Sequence, residues 1–176
     1  KILERVVIEM KNVLIGISWP FANGDLHLGH IASSLSGDVI ARYYRLKGNN
    51  VCFVSGSDCF GTPISIQAQK ENKSPKDITD NYHEKFVQVF NALDFSFDNY
   101  SKTTNNQHVE FARNFHKDLY NTDYVSKKIE NRLYCNKCKR FLPDRYVIGI
   151  CPKCGATSKG DACEKCGSIL EPEDLK

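Results

Sequence analysis

Two histidines three residues apart carry the strongest chemical signal in the sequence. His27 and His30 stand in the run Leu26-His27-Leu28-Gly29-His30, at the start of a stretch with helical periodicity. At a helix start both imidazoles share one face, beside backbone N–H groups without partners in the helix, and an anion is favoured there. Gly29 lets a phosphate approach closely. The set suits stabilisation of charge building on a phosphorus-centred transition state, with a nucleotide lying over the helix end. The competing reading is a short chance pattern of ordinary surface or core histidines.

The cysteines give a second signal. Six of the eight fall in three C-x-x-C pairs: Cys135/Cys138, Cys151/Cys154 and Cys163/Cys166. Such spacing is that of a metal knuckle, in which a tight turn aims two sulfurs at one ion, and two knuckles complete a tetrahedral four-thiolate zinc site. Gly155 and Gly167 follow their knuckles directly and let the backbone turn back. Cys151, Cys154, Cys163 and Cys166 therefore predict one zinc, structural because four protein ligands leave no open position for water. A redox or incidental set is the alternative. Three pairs cannot fill two four-coordinate sites, so Cys135 and Cys138 form either an unmetalled knuckle or a half-site whose partner pair lies beyond Lys176. Cys52 and Cys59 read as small core or pocket residues.

These groups need elements to hold them. Asn12 to Ser18 is a short apolar run of the kind that forms a fully buried parallel strand. From about His30 to Leu46 the residues Ile31, Leu35, Val39, Tyr43 and Leu46 recur at helical spacing, and Gly48-Asn49-Asn50 ends the pattern. Val51 to Val54 reads as the next buried strand. Strand, helix and strand make a right-handed βαβ unit, the seed of a doubly wound sheet, which binds ligands beyond the carboxyl ends of its strands. Here those ends lead into Trp19–Gly29 and Ser55–Gly61. Thr62-Pro63 and Ser74-Pro75 each place a hydroxyl cap before a first-turn proline, with Asp77 completing a capping box after Ser74. The second of these helices extends to about Leu93, Phe95 to Ser101 reads as extended, and Asn106 to Tyr120 as a further helix. Helical periodicity fades beyond about Asp123. The expected organisation is thus α/β: a Rossmann-like parallel sheet over 10–120, then a small zinc-knuckle region over 121–176.

Composition agrees with a globular chain: 176 residues, 41% hydrophobic and 26% charged. No apolar run nears the roughly 18 residues a membrane span needs, and the reading is a soluble, intracellular protein without membrane contact. Met10 is the sole methionine, so residues 1 to 9 read as an upstream extension or a preparation remnant. The net charge of +3 arises from Lys117 onward, and from Ser126 to Lys153 eight cations oppose only Glu130 and Asp144. That density suits either a phosphate backbone or a solvated face around thiolates.

Taken together, the longer motifs carry a family resemblance. Trp19-Pro20-Phe21-Ala22-Asn23-Gly24-Asp25-Leu26-His27-Leu28-Gly29-His30 resembles the H-I-G-H signature of class I aminoacyl-tRNA synthetases in the form found in methionyl-tRNA synthetases. Gly56-Ser57-Asp58-Cys59-Phe60-Gly61-Thr62-Pro63-Ile64 is similar to that family's G-x-D-x-x-G-T-P-I segment, and Phe141-Leu142-Pro143-Asp144-Arg145 to its F-L-P-D-R. The resemblance runs from about Met10 to Lys176. It implies a Rossmann catalytic core interrupted by a zinc-bearing connective insert. It also implies activation of methionine by ATP, used with magnesium, followed by transfer to tRNA(Met) in the cytoplasm.

Carried over residue by residue, the resemblance makes His27 and His30 catalytic. Asn23, Gly24 and Gly29 would join them in binding ATP, while Ser18, Trp19, Phe21 and Asp58 would bind methionine, with Asp58 on its ammonium. For Asp58 the plainer alternative is a capping or surface acid in a turn, and for Trp19 and Phe21 an ordinary core role. Two departures stand out. Phe60 occupies a position where the family usually has histidine, and the K-M-S-K-S signature, the second half of the nucleotide fold and the anticodon-binding domain are absent. The chain thus looks like the amino-terminal part of a longer enzyme, needing its downstream half for activity. The alternative is a truncated stand-alone relative that binds tRNA or a partner without catalysis; a different class I ligase or nucleotidyltransferase is a third reading.

Overall fold

The structure is a computed structural model and describes residues 10–129, 131–137 and 139–176. The reading of residues 1 to 9 as an extension lies outside the described residues, and so does Cys138. The chain divides into two compact units, one ending at Asp118 and the other covering Leu119–Lys176.

In the first unit β1 (Asn12–Gly16), α1 (Leu28–Leu46), β2 (Asn50–Ser57), α2 (Thr62–Glu71), α3 (Pro75–Ala92) and β3 (Asn99–Lys102) follow one another, and α4 (Asn106–Tyr120) lies in it up to its last two residues. The three strands form a parallel sheet in sequential order. Asn12 to Gly16 pair with Asn50 to Val54, and Val54 to Ser57 pair with Asn99 to Lys102. Right-handed crossovers between strands laid in sequence put their connecting helices on one face of the sheet. Phe53, fully buried, lies on that face beneath α1. Phe53 also stacks on Phe97 at 4.3 Å, and Phe97 meets Phe90 of α3 edge-on at 5.3 Å. The other face is open: Leu14 is 74% exposed and Cys52 is exposed.

That geometry corrects two expectations. The Asn12–Ser18 run is not a fully buried strand, because β1 alternates exposed and half-buried residues, and Cys52 is no core residue. Cys59 is buried, as expected. In α1 the repeating apolar residues Leu35, Val39, Tyr43 and Leu46 are exposed. The helix instead packs through Ser34, Gly37, Asp38 and Ala41. Small residues are required there, since a Cβ on Gly37 would lie 2.6 Å from Ile17 Cγ2.

Of the two hydroxyl caps, Ser74 forms its box: its Oγ accepts from Asp77 N at 3.1 Å and its N–H donates to Asp77 Oδ2 at 3.3 Å. Thr62 does not cap α2. The cap position falls on Gly61, which makes no side-chain bond, so the hydroxyl already lies inside the first turn.

The second unit contains two short antiparallel hairpins, β4 (Tyr134–Cys135) with β5 (Arg140–Phe141) and β6 (Ile148–Ile150) with β7 (Thr157–Lys159). No helix among the described residues is long and apolar enough to cross a membrane.

The buried Asp38 ties α1 to the segment before β3. It accepts from Ser96 N at 2.7 Å and Ser96 Oγ at 2.6 Å, and pairs with Arg42 at 2.7 Å. Burial alone would raise its carboxyl, but the Ser96 and Arg42 contacts outweigh that and hold it below the ordinary carboxylate value. A carboxyl lowered by folding contributes stability that is present above its unfolded value and lost as pH falls through its folded one. The stability gap between the wild type and Asp38→Asn should therefore be constant from pH 7 to about 5 and close below about 4. Urea unfolding at a series of pH values checks this, and a gap unchanged down to acid pH would contradict it.

Candidate active site and metal centre

The candidate site forms where the loop after β1 returns to the end of β2. Asp58 N donates to Pro20 O at 2.9 Å, and Ala22 N donates to Asp58 O at 2.9 Å. Phe21 and Asp58 thereby form a parallel bridge that extends the sheet beyond its strands. Trp19 lies over Gly56, where a Cβ would come within 2.5 Å of both the indole Cζ3 and Ser101 O. A glycine is thus required at position 56. The Trp19 ring also meets the His108 ring of α4 at 5.8 Å.

Ser18, Trp19, Pro20 and Phe21 line a cavity of about 240 Å3 together with His30, Ser33 and Ser34 of α1. Of the residues singled out in the sequence, Ser18, Trp19, Phe21 and His30 meet in this cavity. His27 stacks on His30, with ring centroids 3.8 Å apart. Asp58 reaches the group through its backbone bridge, and its Oδ1 accepts the Phe60 N–H at 3.0 Å. Asn23 and Gly24 sit in the turn between Phe21 and α1, outside the lining. Ser33 and Ser34 were not singled out; both hydroxyls donate to His30 O at 2.9 Å. Their positions three and four residues after His30 were the signal available, since these share its helix face.

The two histidines cap α1 reciprocally. Gly29 N donates to His27 Nδ1 at 3.1 Å, and His27 N donates to His30 Nδ1 at 3.2 Å. A nitrogen that accepts carries no proton, so each neutral ring holds its proton on Nε2. Burial first, and then the charge of His27, lowers the His30 imidazole below its ordinary value. Gly29 is needed for the cap, because a Cβ there would stand 2.9 Å from His27 Cε1. The first turn of α1 holds no acidic residue. The arrangement can thus offer two Nε2–H donors and the positive end of a helix to an anion.

In the second unit the Sγ atoms of Cys151, Cys154, Cys163 and Cys166 lie within 4.8 Å of one another. The knuckles are twins. Gly155 N donates to Cys151 O at 2.9 Å and Gly167 N to Cys163 O at 2.8 Å, and both glycines have φ of +70°. Tetrahedral zinc–sulfur bonds of about 2.3 Å require sulfur–sulfur edges of about 3.8 Å. Cys151–Cys166 is 3.9 Å and Cys154–Cys163 is 3.5 Å, so the four residues fit that ion. The Ser168 hydroxyl and N–H lower the Cys166 thiol, whereas, against the Ala156 N–H, burial and the neighbouring cysteine thiols raise that of Cys154. Leu170 and Leu175 pack against the cluster. Cys135 lies half-buried in β4, and a second half-site would need Cys138.

A parallel sheet whose first crossover helix begins on H-x-G-H, followed by a cysteine-knuckle unit, agrees with the fold that the resemblance to class I aminoacyl-tRNA synthetases implies. Residues 13–176 match the family model for tRNA synthetases class I (M), and the chain belongs to that family. Methionine-tRNA ligase 1 of Alkaliphilus oremlandii is 52% identical over 164 residues, 93% of this chain and 30% of that protein. Methionine-tRNA ligases of Bacillus cereus and Bacillus mycoides are 51% and 50% identical over the same share. The chain therefore spans about 30% of the length of these curated relatives. A solved structure of Mycobacterium tuberculosis methionyl-tRNA synthetase in complex with methionyl-adenylate shares the fold, with a TM-score of 0.69 and 20% identity over 85% of this chain and 31% of that one.

Proposed function

We propose that the protein containing this chain is a methionine-tRNA ligase, and that this chain supplies its phosphate-facing histidines, part of its amino-acid pocket and a zinc-bearing connective unit. The reciprocal His27–His30 cap carries the reading. A carboxylate oxygen of methionine attacks the α-phosphorus of ATP, the bond to the bridging oxygen breaks, and pyrophosphate leaves with its electron pair. ATP enters with magnesium, and the methionyl group then passes from the adenylate to the 3′ end of tRNA(Met).

In this reaction the chain's residues hold and stabilise. The Nε2–H groups of His27 and His30 donate to phosphate oxygens as negative charge grows on them, with Gly29, Asn23 and Gly24 giving the nucleotide room at the helix start. Neutral donors suit this role, since no proton need move to or from either ring. Asp58 receives the methionine ammonium, while Ser18, Trp19 and Phe21 form the pocket wall, the two aromatics against the thioether. Cys151, Cys154, Cys163 and Cys166 would hold zinc, which when bound crosslinks the two knuckles. A tRNA substrate puts this activity in the cytoplasm, where protein synthesis consumes its product. Relatives named as ligases and about three times this length favour this reading over a stand-alone binding protein.

Two measurements test it. In the full-length enzyme His30→Ala should lower methionine-dependent ATP–pyrophosphate exchange about 100-fold or more, the scale set by removing one preorganised donor; undiminished exchange would contradict the assignment. Elemental analysis of the protein should find tightly held zinc that is lost in Cys163→Ser, whereas zinc retained in that variant would remove Cys163 from the ligand set.

A further inference from the structure

The carboxyl end of β2 is braced from α3 by a polar contact that the site described above does not use. Ser57 is fully buried. Its Oγ lies 2.9 Å from His83 Nδ1 on α3 and 3.5 Å from the Tyr100 hydroxyl on β3. The His83 and Tyr100 rings are nearly parallel, with centroids 5.9 Å apart. These polar groups border an aromatic core of Phe86, Phe90, Phe95 and Phe97, where apolar side chains would avoid the cost of burying hydroxyls.

The next residue is Asp58, and its flanking peptide units are held from several sides. Thr103 N donates to Ser57 O at 3.1 Å, and Cys59 N donates to Thr103 Oγ1 at 2.8 Å. With Pro20 and Ala22 on the Asp58 backbone, the loop after β1 and the residue after β3 both grip this strand end, and His83 adds α3 to that grip. Burial first, and then the Lys102 ammonium, lowers the His83 imidazole, opposed by Asp80 and Glu84. Lys102 itself pairs with Asp80 at 2.6 Å. Burial pushes the Tyr100 phenol up to about 12. Near neutral pH the contact therefore joins uncharged hydrogen-bonding groups and fixes the rotamer of Ser57.

We propose that His83 is a positioning residue for amino-acid binding: through the Ser57 hydroxyl it fixes the strand end from which Asp58 presents its carboxylate to the substrate ammonium. The inference rests on the role given to Asp58 above and extends it to a residue that touches no substrate.

Steady-state exchange kinetics on the full-length enzyme test it. His83→Leu should raise KM for methionine about tenfold while KM for ATP and kcat stay within about twofold. His83→Asn, whose amide reaches the place of Nδ1, should restore KM to within about threefold of wild type. In an Asp58→Asn background the His83→Leu change should add nothing further, because both act through one carboxylate. If His83→Leu fails to fold, Ser57→Ala, which removes a single hydroxyl, should give the same selective rise. An unchanged methionine KM, an equal rise in both KM values, or full additivity with Asp58→Asn would overturn the role of His83. An unchanged methionine KM in Asp58→Asn alone would overturn the role of Asp58 and this inference with it.

Discussion

The candidate active site depends on one reciprocal contact, in which each of two histidines commits its Nδ1 to a backbone N–H at the start of the same helix. That commitment decides orientation and tautomer together. With both Nδ1 atoms accepting, the outward nitrogens are donors, and gaining a second proton would break a cap bond. The stacked rings, 3.8 Å apart, add a further penalty to charging both. The histidines are therefore suited to hold developing anionic charge through their outward Nε2–H groups. The same contact explains Gly29, whose missing side chain leaves room for the His27 ring.

The sheet places that helix start. Parallel order brings the ends of β1 and β2 to one edge, and the Phe21–Asp58 bridge carries the pairing past the strands into the loops. The aromatic wall and the carboxylate are therefore built on continued strand geometry. Gly56 lets Trp19 lie against the sheet, while Thr103 holds the peptide units beside Asp58 and His83 contacts the Ser57 hydroxyl. In the second unit, two matched turns aim four sulfurs at one point with little secondary structure to help.

Much of this was legible in the sequence. The H-x-G-H spacing located the start of α1, and the C-x-x-C spacing located the four-sulfur cluster, because each is a local rule in which chain geometry alone brings the groups together. The Ser74 box was readable for the same reason. Long-range packing was less legible. The apolar repeat of α1 revealed a helix but not its buried face, since close approach to Phe53 and Ile17 requires Gly37 there, with Leu35 and Val39 left exposed. The β1 run looked fully buried, yet both crossovers cover one face and leave Leu14 and Cys52 open. The extension of β2 through Ser55, Gly56 and Ser57 could not be seen in residue types with no preference for strands. His83, Ser33 and Ser34 gave no motif, because their neighbours are set by tertiary folding.

The central claim is that His27 and His30 each turn Nδ1 to a backbone N–H and carry a proton on Nε2. Long-range proton–nitrogen correlation on 15N-histidine-labelled protein at pH 7 measures this directly. The structure predicts that both residues show Nε2–H with an unprotonated, hydrogen-bonded Nδ1, and that His30 resists protonation as pH falls below the ordinary histidine value. An Nδ1–H tautomer in either ring would contradict the account.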